Sequence, residues 1–519
     1  MDSAEARCKP KAKGRRGLLA ISRLARRSAS LALLWWLAVA FVLLFAACFD
    51  NSSLGGYDPF YDSGVYLESA RMIRRGYPAY AAVFSSQPPL WLPLLRFSFF
   101  WFGESFLAGQ LLMATASLIT VAAVMMTVAQ LQGRLSALLG AALLILAPVE
   151  LTWSRTVIAE GPSIAFAAVA MASAARYSFI RRRIWLVLAS IAITCSVLTK
   201  LFGLFTVPAI LLLAMTRWAR SPMLDWRTKL RGLTNDLIII GTIVGGTVVA
   251  LLLILDPTKV WDQAVRFHWR AAAVSQLTIA DNWRMVLRIW QPAKFQWLIL
   301  ALPGLCVLGG WCGLAILTWF ICTLTGLLLQ RPLFMHHLLA LAPVGAVAAA
   351  FGWGQLWSCS ASRYRAAALS TRLLSTGGGA ACLILAAFMG VELLNGARAT
   401  ENFLELSSAH GSRAEKLAAD KLQSVTAPED VVLTDAQGIA FLAHRDVPPG
   451  LTDTSFKRIS AGYLSSRQVI DESERYHVRA ALLWSGRLIQ MPQVTAWIKQ
   501  RFLRQESFGD NRSLWFSPR

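Results

Sequence analysis

Apolar stretches recur along most of the chain, near 32–49, 106–130, 135–149, 161–177, 184–199, 201–216, 235–255, 295–309, 311–329, 336–357 and 373–394. Each predicts a membrane helix, although several fall short of the ~20 residues a perpendicular span needs, so their bounds are soft. Between the first two, 62–76 repeats with helical period. Val65, Tyr66, Ser69, Met72 and Ile73 share one face, with Glu68, Arg71, Arg74 and Arg75 largely opposite, the pattern of a helix lying in the bilayer interface. Beyond 396 the period changes. Strand-like runs at Asp430–Asp435 and Ala480–Trp484 alternate with helical stretches around 412–424 and 492–504, and a further strand is expected at the end of the chain. The pattern predicts a polytopic α-helical membrane protein with about eleven transmembrane helices. Its parts are a basic cytoplasmic N-terminus (1–31), a membrane domain (32–395) with outer loops 50–105 and 256–294, and a small extracytoplasmic α/β domain (396–519).

Composition agrees: 56% of the 519 residues are hydrophobic and 15% charged, with a mean hydropathy of +0.50, too apolar for a soluble chain of this size. The net charge of +22 does not imply nucleic-acid binding, because the basic residues sit in short clusters between apolar runs. Those clusters set the orientation. They fall in the N-terminus (Arg7 to Arg27), at Arg176 with Arg181–Arg183, from Arg217 to Arg231 and from Arg363 to Arg372, and they alternate correctly if the N-terminus is cytoplasmic. The segments 50–105, 150–160, 256–294 and 330–335, the junction near Lys200 and everything beyond 396 then face outward from the plasma membrane. The basic N-terminus looks like the start of a signal peptide, but ten further apolar runs favour an uncleaved first helix. Most of the eight cysteines lie in apolar runs and all precede the polar C-terminal region, which reads as core packing, not disulfides or metal ligation.

The outer side gathers the candidate chemistry. Asp62 follows the first helix at the membrane surface, where it is either a general base for an acceptor hydroxyl or the cap of the interfacial helix. Arg155 and Glu160 occupy the turn between the third and fourth helices, where charges near hydrocarbon must pair or contact a ligand. Lys200 interrupts two apolar runs and reads equally as a snorkelling anchor or as a contact for a lipid phosphate; Arg155 is open to the same two readings. Arg71 joins the substrate-binding candidates. His336 and His337 begin a helix at the same surface, where neutral imidazoles can donate to a phosphate or sugar. Being adjacent, they are expected to point apart, which disfavours chelation by both. The loop 256–294 mixes Lys259, Arg266, His268, Arg270, Arg284 and Arg288 with Trp261, Phe267, Trp269, Trp283 and Trp290, suiting lipid headgroups or sugar stacking, with an aromatic belt as the simpler reading.

These residues resemble the GT-C superfamily of polyprenyl-phosphate-sugar-dependent glycosyltransferases, in its protein mannosyltransferase and lipid A aminoarabinose transferase branch. The carrying motifs are Asp62-Ser63-Gly64-Val65-Tyr66-Leu67, Gln87-Pro88-Pro89-Leu90 leading into Phe102-Gly103-Glu104-Ser105, Ser154-Arg155 with Glu160, and His336-His337-Leu338 through Pro343. The likeness spans about residues 30–400. It implies a sugar transferred from a polyprenyl-phosphate donor to a lipid, glycan or protein acceptor, with Asp62 as base and Arg155, Lys200 and the His336 region holding the lipid phosphate. Many relatives carry Asp-Glu where Asp62-Ser63 stands here, and Lys-Pro-Pro where Gln87-Pro88-Pro89 stands. No cofactor is implied, no metal ligand is named, and a divalent metal stays open. No nucleotide-binding fingerprint is present. The alternatives are a secondary transporter or flippase of a lipid-linked or small polar substrate, which would place ionisable residues near the bilayer midplane on repeated, broken helices, and a non-catalytic scaffold.

Overall fold

The computed structural model describes residues 34–47, 54–180, 182–221, 223–288, 306, 309–366, 391, 394–398, 413–509 and 511–517. Among them, six helices are long and apolar enough to span a bilayer: Phe106–Leu131, Glu160–Ile180, Leu201–Ala219, Trp226–Leu251, Gly310–Leu329 and Met335–Ser358. Three shorter apolar helices, Leu34–Ala47, Arg134–Ile145 and Arg183–Thr199, fall on further predicted runs. The runs at 295–309 and 373–394, and the basic N-terminus, lie wholly or largely outside the described residues.

The helix Glu160–Ile180 is central. It packs against Phe106–Leu131, Arg183–Thr199 and Val207–Ala219, and its buried positions are mostly small, including Ala165, Ala167, Ala168, Ala170, Ala172, Ala174 and Ala175. Small side chains let helix backbones approach closely where lipid offers no hydrophobic drive. Trp226–Leu251, by contrast, has only 6% of its apolar window buried and turns Leu237, Ile238, Val248 and Val249 outward, as a lipid-facing helix must.

The C-terminal residues form a four-stranded sheet in the order β1-β2-β4-β3. β1 (Val432–Thr434) runs parallel to β2 (Ala480–Leu483), with Val432 opposite Ala480. β4 (Ser513–Phe516) pairs antiparallel with both β2 and β3 (Arg504–Ser507). Because alternate strand residues face opposite sides, Val432, Ala480 and Leu482 pack on Ala418 and Leu422 of the 413–425 helix. Leu433, Ala481 and Leu483 pack on the other side against Val469, Val494 and Ile498. β1 and β2 lie within two predicted strand runs, and the helix Pro492–Arg501 lies within the predicted 492–504 stretch.

The amphipathic helix is the main departure from the sequence reading. Tyr61–Arg74 does not rest with a polar face in water: Glu68 and Arg71 are 0% and 1% exposed, because the C-terminal unit covers them. Arg71 donates to the carbonyls of Phe441 (3.0 Å) and Arg445 (3.3 Å), pairs with Glu68 at 3.1 Å and Glu104 at 3.4 Å, and lies 4.0 Å over the Phe441 ring. Glu68 accepts from the Val447 N–H at 3.3 Å. Burial pushes the Glu68 carboxyl up to about 7 against the pull of Arg71. The seam is tight at Gly64, where an added Cβ would sit 2.2 Å from the Gly438 nitrogen; glycine is required there for its missing side chain.

Candidate functional site

A cavity of about 510 Å³ opens between the helix ends and the C-terminal unit. Its membrane-side wall begins at Phe60, Tyr61 and Asp62, and behind it Asp58 is buried just before the helix Tyr61–Arg74. Asp58 Oδ1 accepts from the Phe60 N–H (3.0 Å), and Oδ2 accepts from Ser63 Oγ and the Val157 N–H (3.2 Å). Burial raises the Asp58 carboxyl to about 6, opposed by the donors Ser63, Phe60 and Val157. Asp58 therefore ties the helix start to the turn that leads into Glu160. No side chain caps the helix, neither Asp58 nor Asp62. The N-cap is Phe60 and Asp62 lies in the first turn, where the helix dipole favours its negative charge.

Freed from capping, Asp62 faces the cavity with 38% of its side chain exposed; its Oδ2 is 3.6 Å from His336 Nε2. Burial nevertheless raises its pKa from the ordinary value, partly offset by His336. His336 Nε2 also lies 3.5 Å from Glu160 Oε1, so the imidazole bridges the two carboxylates. Glu160 is only 1% exposed and takes the Lys200 ammonium as its ion pair. Lys200 thus points into the cavity wall and does not snorkel. Its extended backbone breaks the chain between Arg183–Thr199 and a 3₁₀ turn, Leu201–Thr206. Of the two carboxylates, Asp62 alone is open to an incoming group.

His337 corrects a second expectation. Its Nε2 comes within 3.7 Å of the same Glu160 oxygen, and its Nδ1 accepts from the Phe334 N–H at 3.3 Å, so Nε2 carries the proton. The adjacent histidines lie in a 3₁₀ turn, Met335–Ala340, which sets neighbours about 120° apart, and their imidazoles still reach the one carboxylate from two sides. Glu160, His336 and His337 place ligand atoms within 4.8 Å of one another, a spacing compatible with one divalent ion. Lys200 already holds the carboxylate oxygen, so a metal would have to displace an ammonium, and this donor set is a poor fit for one.

The outer segments furnish the rim. His268, in the helix Phe267–Val274, directs Nε2 to the Ser86 carbonyl at 2.7 Å, while Gln87 Nε2 donates to the Tyr66 hydroxyl at 3.0 Å. Trp269 and Phe267 line the cavity as well. Trp290 lies outside the described residues. Arg71 belongs to the seam described above and Arg155 is half-buried; neither lines the cavity. Absent from the sequence reading were Asp453, Lys457 and Arg487, which the C-terminal unit contributes to the same cavity. Their only advance signal was a polar loop, Thr452-Asp453-Thr454-Ser455, which loops of any domain share.

The arrangement invites comparison with known proteins. Across 94% of this chain and 98% of the other, it superposes on ArnT from Cupriavidus metallidurans bound to undecaprenyl phosphate, with a TM-score of 0.64 at 14% identity. The fold is that of the GT-C glycosyltransferases. Residues 96–259 match the dolichyl-phosphate-mannose-protein mannosyltransferase family. The archaeal oligosaccharyltransferase AglB from Archaeoglobus fulgidus, in complex with an inhibitory peptide and a dolichol-phosphate, superposes with a TM-score of 0.52 at 12% identity, over 93% of this chain and 74% of its own. No curated protein sequence matches the chain. In this fold the charged side chains of the cavity sit on loops and helix ends that meet an appended polar unit.

Proposed function

We propose that the protein is a membrane glycosyltransferase that moves a hexosyl or pentosyl group from a polyprenyl-phosphate donor to an acceptor hydroxyl on the extracytoplasmic side, with Asp62 as general base. The observation that carries the reading is the Asp62 carboxylate, open to a cavity between membrane helices and a polar unit while Glu160 beside it is locked to Lys200. The acceptor oxygen bonds to the anomeric carbon, the bond from that carbon to the phosphate oxygen breaks, and the acceptor proton passes to Asp62. Burial raises the basicity of Asp62 towards what such a transfer uses. The phosphate departs as an anion, and cations at the cavity wall stabilise it without protonation. Helix ends at the cavity let the polyprenyl tail stay in lipid while its phosphate reaches the interface. The Lys/Arg distribution supports the outward side. A carrier would hold its ionisable groups near the bilayer midplane, whereas these sit at helix ends beside the polar unit.

The test is release of undecaprenyl phosphate by the full-length protein in proteoliposomes containing undecaprenyl-phosphate hexoses and pentoses, with extracted envelope lipids, glycans and proteins as acceptors. Protein-dependent release together with a glycosylated acceptor is expected. Movement of intact donor across the bilayer, with no release from any donor, would replace this reading with a flippase.

A further inference from the structure

The cavity's C-terminal wall carries two cations, Lys457 and Arg487, with the Asp453 carboxylate nearby but in salt-bridge contact with neither. β1 and β2 run parallel, and the turn after β2 holds Arg487 in place through Asp435, whose carboxylate accepts from the N–H groups of Trp484 (2.7 Å), Ser485 (3.1 Å) and Leu488 (3.1 Å). The loop 450–458 is tied by Arg458, which donates to the carbonyls of Gly450 (2.8 Å) and Asp453 (2.6 Å), and this aims Lys457. Among the described residues neither Lys457 nor Arg487 forms an ion pair with a carboxylate, whereas Lys200 across the cavity is paired with Glu160. The Arg487 guanidinium lies 3.5 Å over the Tyr61 ring, and its Nε is buried without a hydrogen-bond partner.

Lys457 is held by a neutral acceptor. His268 Nε2 gives its proton to the Ser86 carbonyl, which leaves Nδ1 to accept from Lys457 Nζ at 2.8 Å. Burial and the neighbouring Lys457 charge keep His268 neutral, with its pKa lowered to about 3. One of the three ammonium protons is thus taken, and two remain free for an anion. Two fixed cations over a cavity, facing a wall whose own cation is already paired, form a site that an incoming anion completes.

We propose that Lys457, positioned by His268, and Arg487 bind the phosphate of the polyprenyl donor and of the departing polyprenyl phosphate, so that the anion site is completed by the C-terminal unit. The inference rests on the glycosyltransferase reading. The ligand chemistry is a phosphate monoester or diester, as a lipid headgroup or as free phosphate.

Equilibrium binding to the full-length protein in nanodiscs tests it, with undecaprenyl phosphate, undecaprenol and inorganic phosphate as separate probes. Wild type should prefer undecaprenyl phosphate to undecaprenol, and millimolar inorganic phosphate should compete weakly. Lys457→Gln should weaken undecaprenyl phosphate binding roughly ten- to a hundredfold, the scale of one charge-assisted contact, and Lys457→Arg should restore most of it. Tight inorganic phosphate binding that undecaprenyl phosphate cannot displace would overturn the lipid assignment. A second readout needs no variant. Burial and Lys200 lower the Lys457 pKa to about 8, against the pull of Asp62, Asp453 and Glu160, so wild-type affinity should fall as pH rises beyond about 8. His268→Ala should lower affinity by a smaller factor and shift that pH midpoint downward, because the acceptor that favours the Lys457 ammonium is lost. Equal affinity for wild type and Lys457→Gln, with unchanged thermal midpoints, would overturn the proposal while leaving the transferase reading standing. Affinity flat from pH 7 to about 9.5 would do the same. No preference for undecaprenyl phosphate over undecaprenol would instead overturn the donor reading itself.

Discussion

The two ends of the helix Glu160–Ile180 both carry buried polar groups, and they differ in what those groups face. At one end Glu160, Lys200 and His336 surround a cavity into which Asp62 opens. At the other, 17 residues or roughly 25 Å along the axis, Asp236 Oδ2 accepts from the Tyr177 hydroxyl (2.6 Å) and the Trp218 indole (2.8 Å), and Arg217 donates to Tyr177. The second cluster lines no part of that cavity: it pins Trp226–Ile254 to its neighbours through Asp236 Oδ2, while Asp236 Oδ1 is buried without a hydrogen-bond partner. The first keeps one carboxylate and two cations for something else. Buried charge alone does not separate a structural network from a reactive one; what separates them here is whether the network opens on a cavity.

Exchanging the two carboxylates one at a time breaks the comparison if it is wrong. Asp62→Asn should lower sugar transfer by about 10²–10⁴, the usual worth of a positioned base, with an unchanged thermal midpoint. Asp236→Ala should do the reverse. It orphans two buried donors at a cost of about 1–3 kcal/mol, seen as a lower melting temperature, while the folded protein transfers sugar normally. Gly64→Ala should be of similar size, because overpacking against Gly438 costs ~1–3 kcal/mol, and it should loosen the seam, read as faster proteolysis between the helices and the C-terminal unit.

The seam also has a pH signature. Glu68 has a folded-state pKa raised to about 7 from the ordinary 4.5, so its protonated form is the one the fold favours. That contribution is fully present below about pH 4.5 and is lost as pH rises through 7, by up to ~3 kcal/mol. Wild type should therefore melt at a lower temperature at pH 8 than at pH 5, and Glu68→Gln should remove that part of the difference. The smallest effect is expected at Arg155, outside the cavity: Arg155→Ala should change transfer by the folded protein by less than about threefold. A tenfold loss would bring Arg155 back to the donor.

Much of the membrane part was legible because run length and apolarity are local properties, and nine of the predicted runs coincide with apolar helices. The gathering of Asp62, Glu160, Lys200, His336 and His337 at one end was legible as well from counting spans with their charge bias, although the same count put Arg155 among them and it does not line the cavity. What could not be read was the second wall. Lys457 and Arg487 lie 395 and 425 residues beyond Asp62, on loops whose direction depends on Asp435 and Arg458 inside another unit. Nor does an amphipathic pattern say what will cover its polar face. At Glu68 and Arg71 the cover is protein, not water, and a charge expected at the surface became a buried tie. His336 and His337 misled for a related reason: neighbours leave a helical turn in different directions, yet both imidazoles reach round to one buried carboxylate.

The central claim is that Asp62 takes the acceptor proton, and single-turnover transfer measures it most directly. Wild type and Asp62→Asn, each saturated with the same undecaprenyl-phosphate sugar in proteoliposomes, are mixed with acceptor and the release of undecaprenyl phosphate is timed. The account predicts equal donor occupancy and a release rate at least about a hundredfold slower for Asp62→Asn. Equal occupancy with equal rates would contradict it.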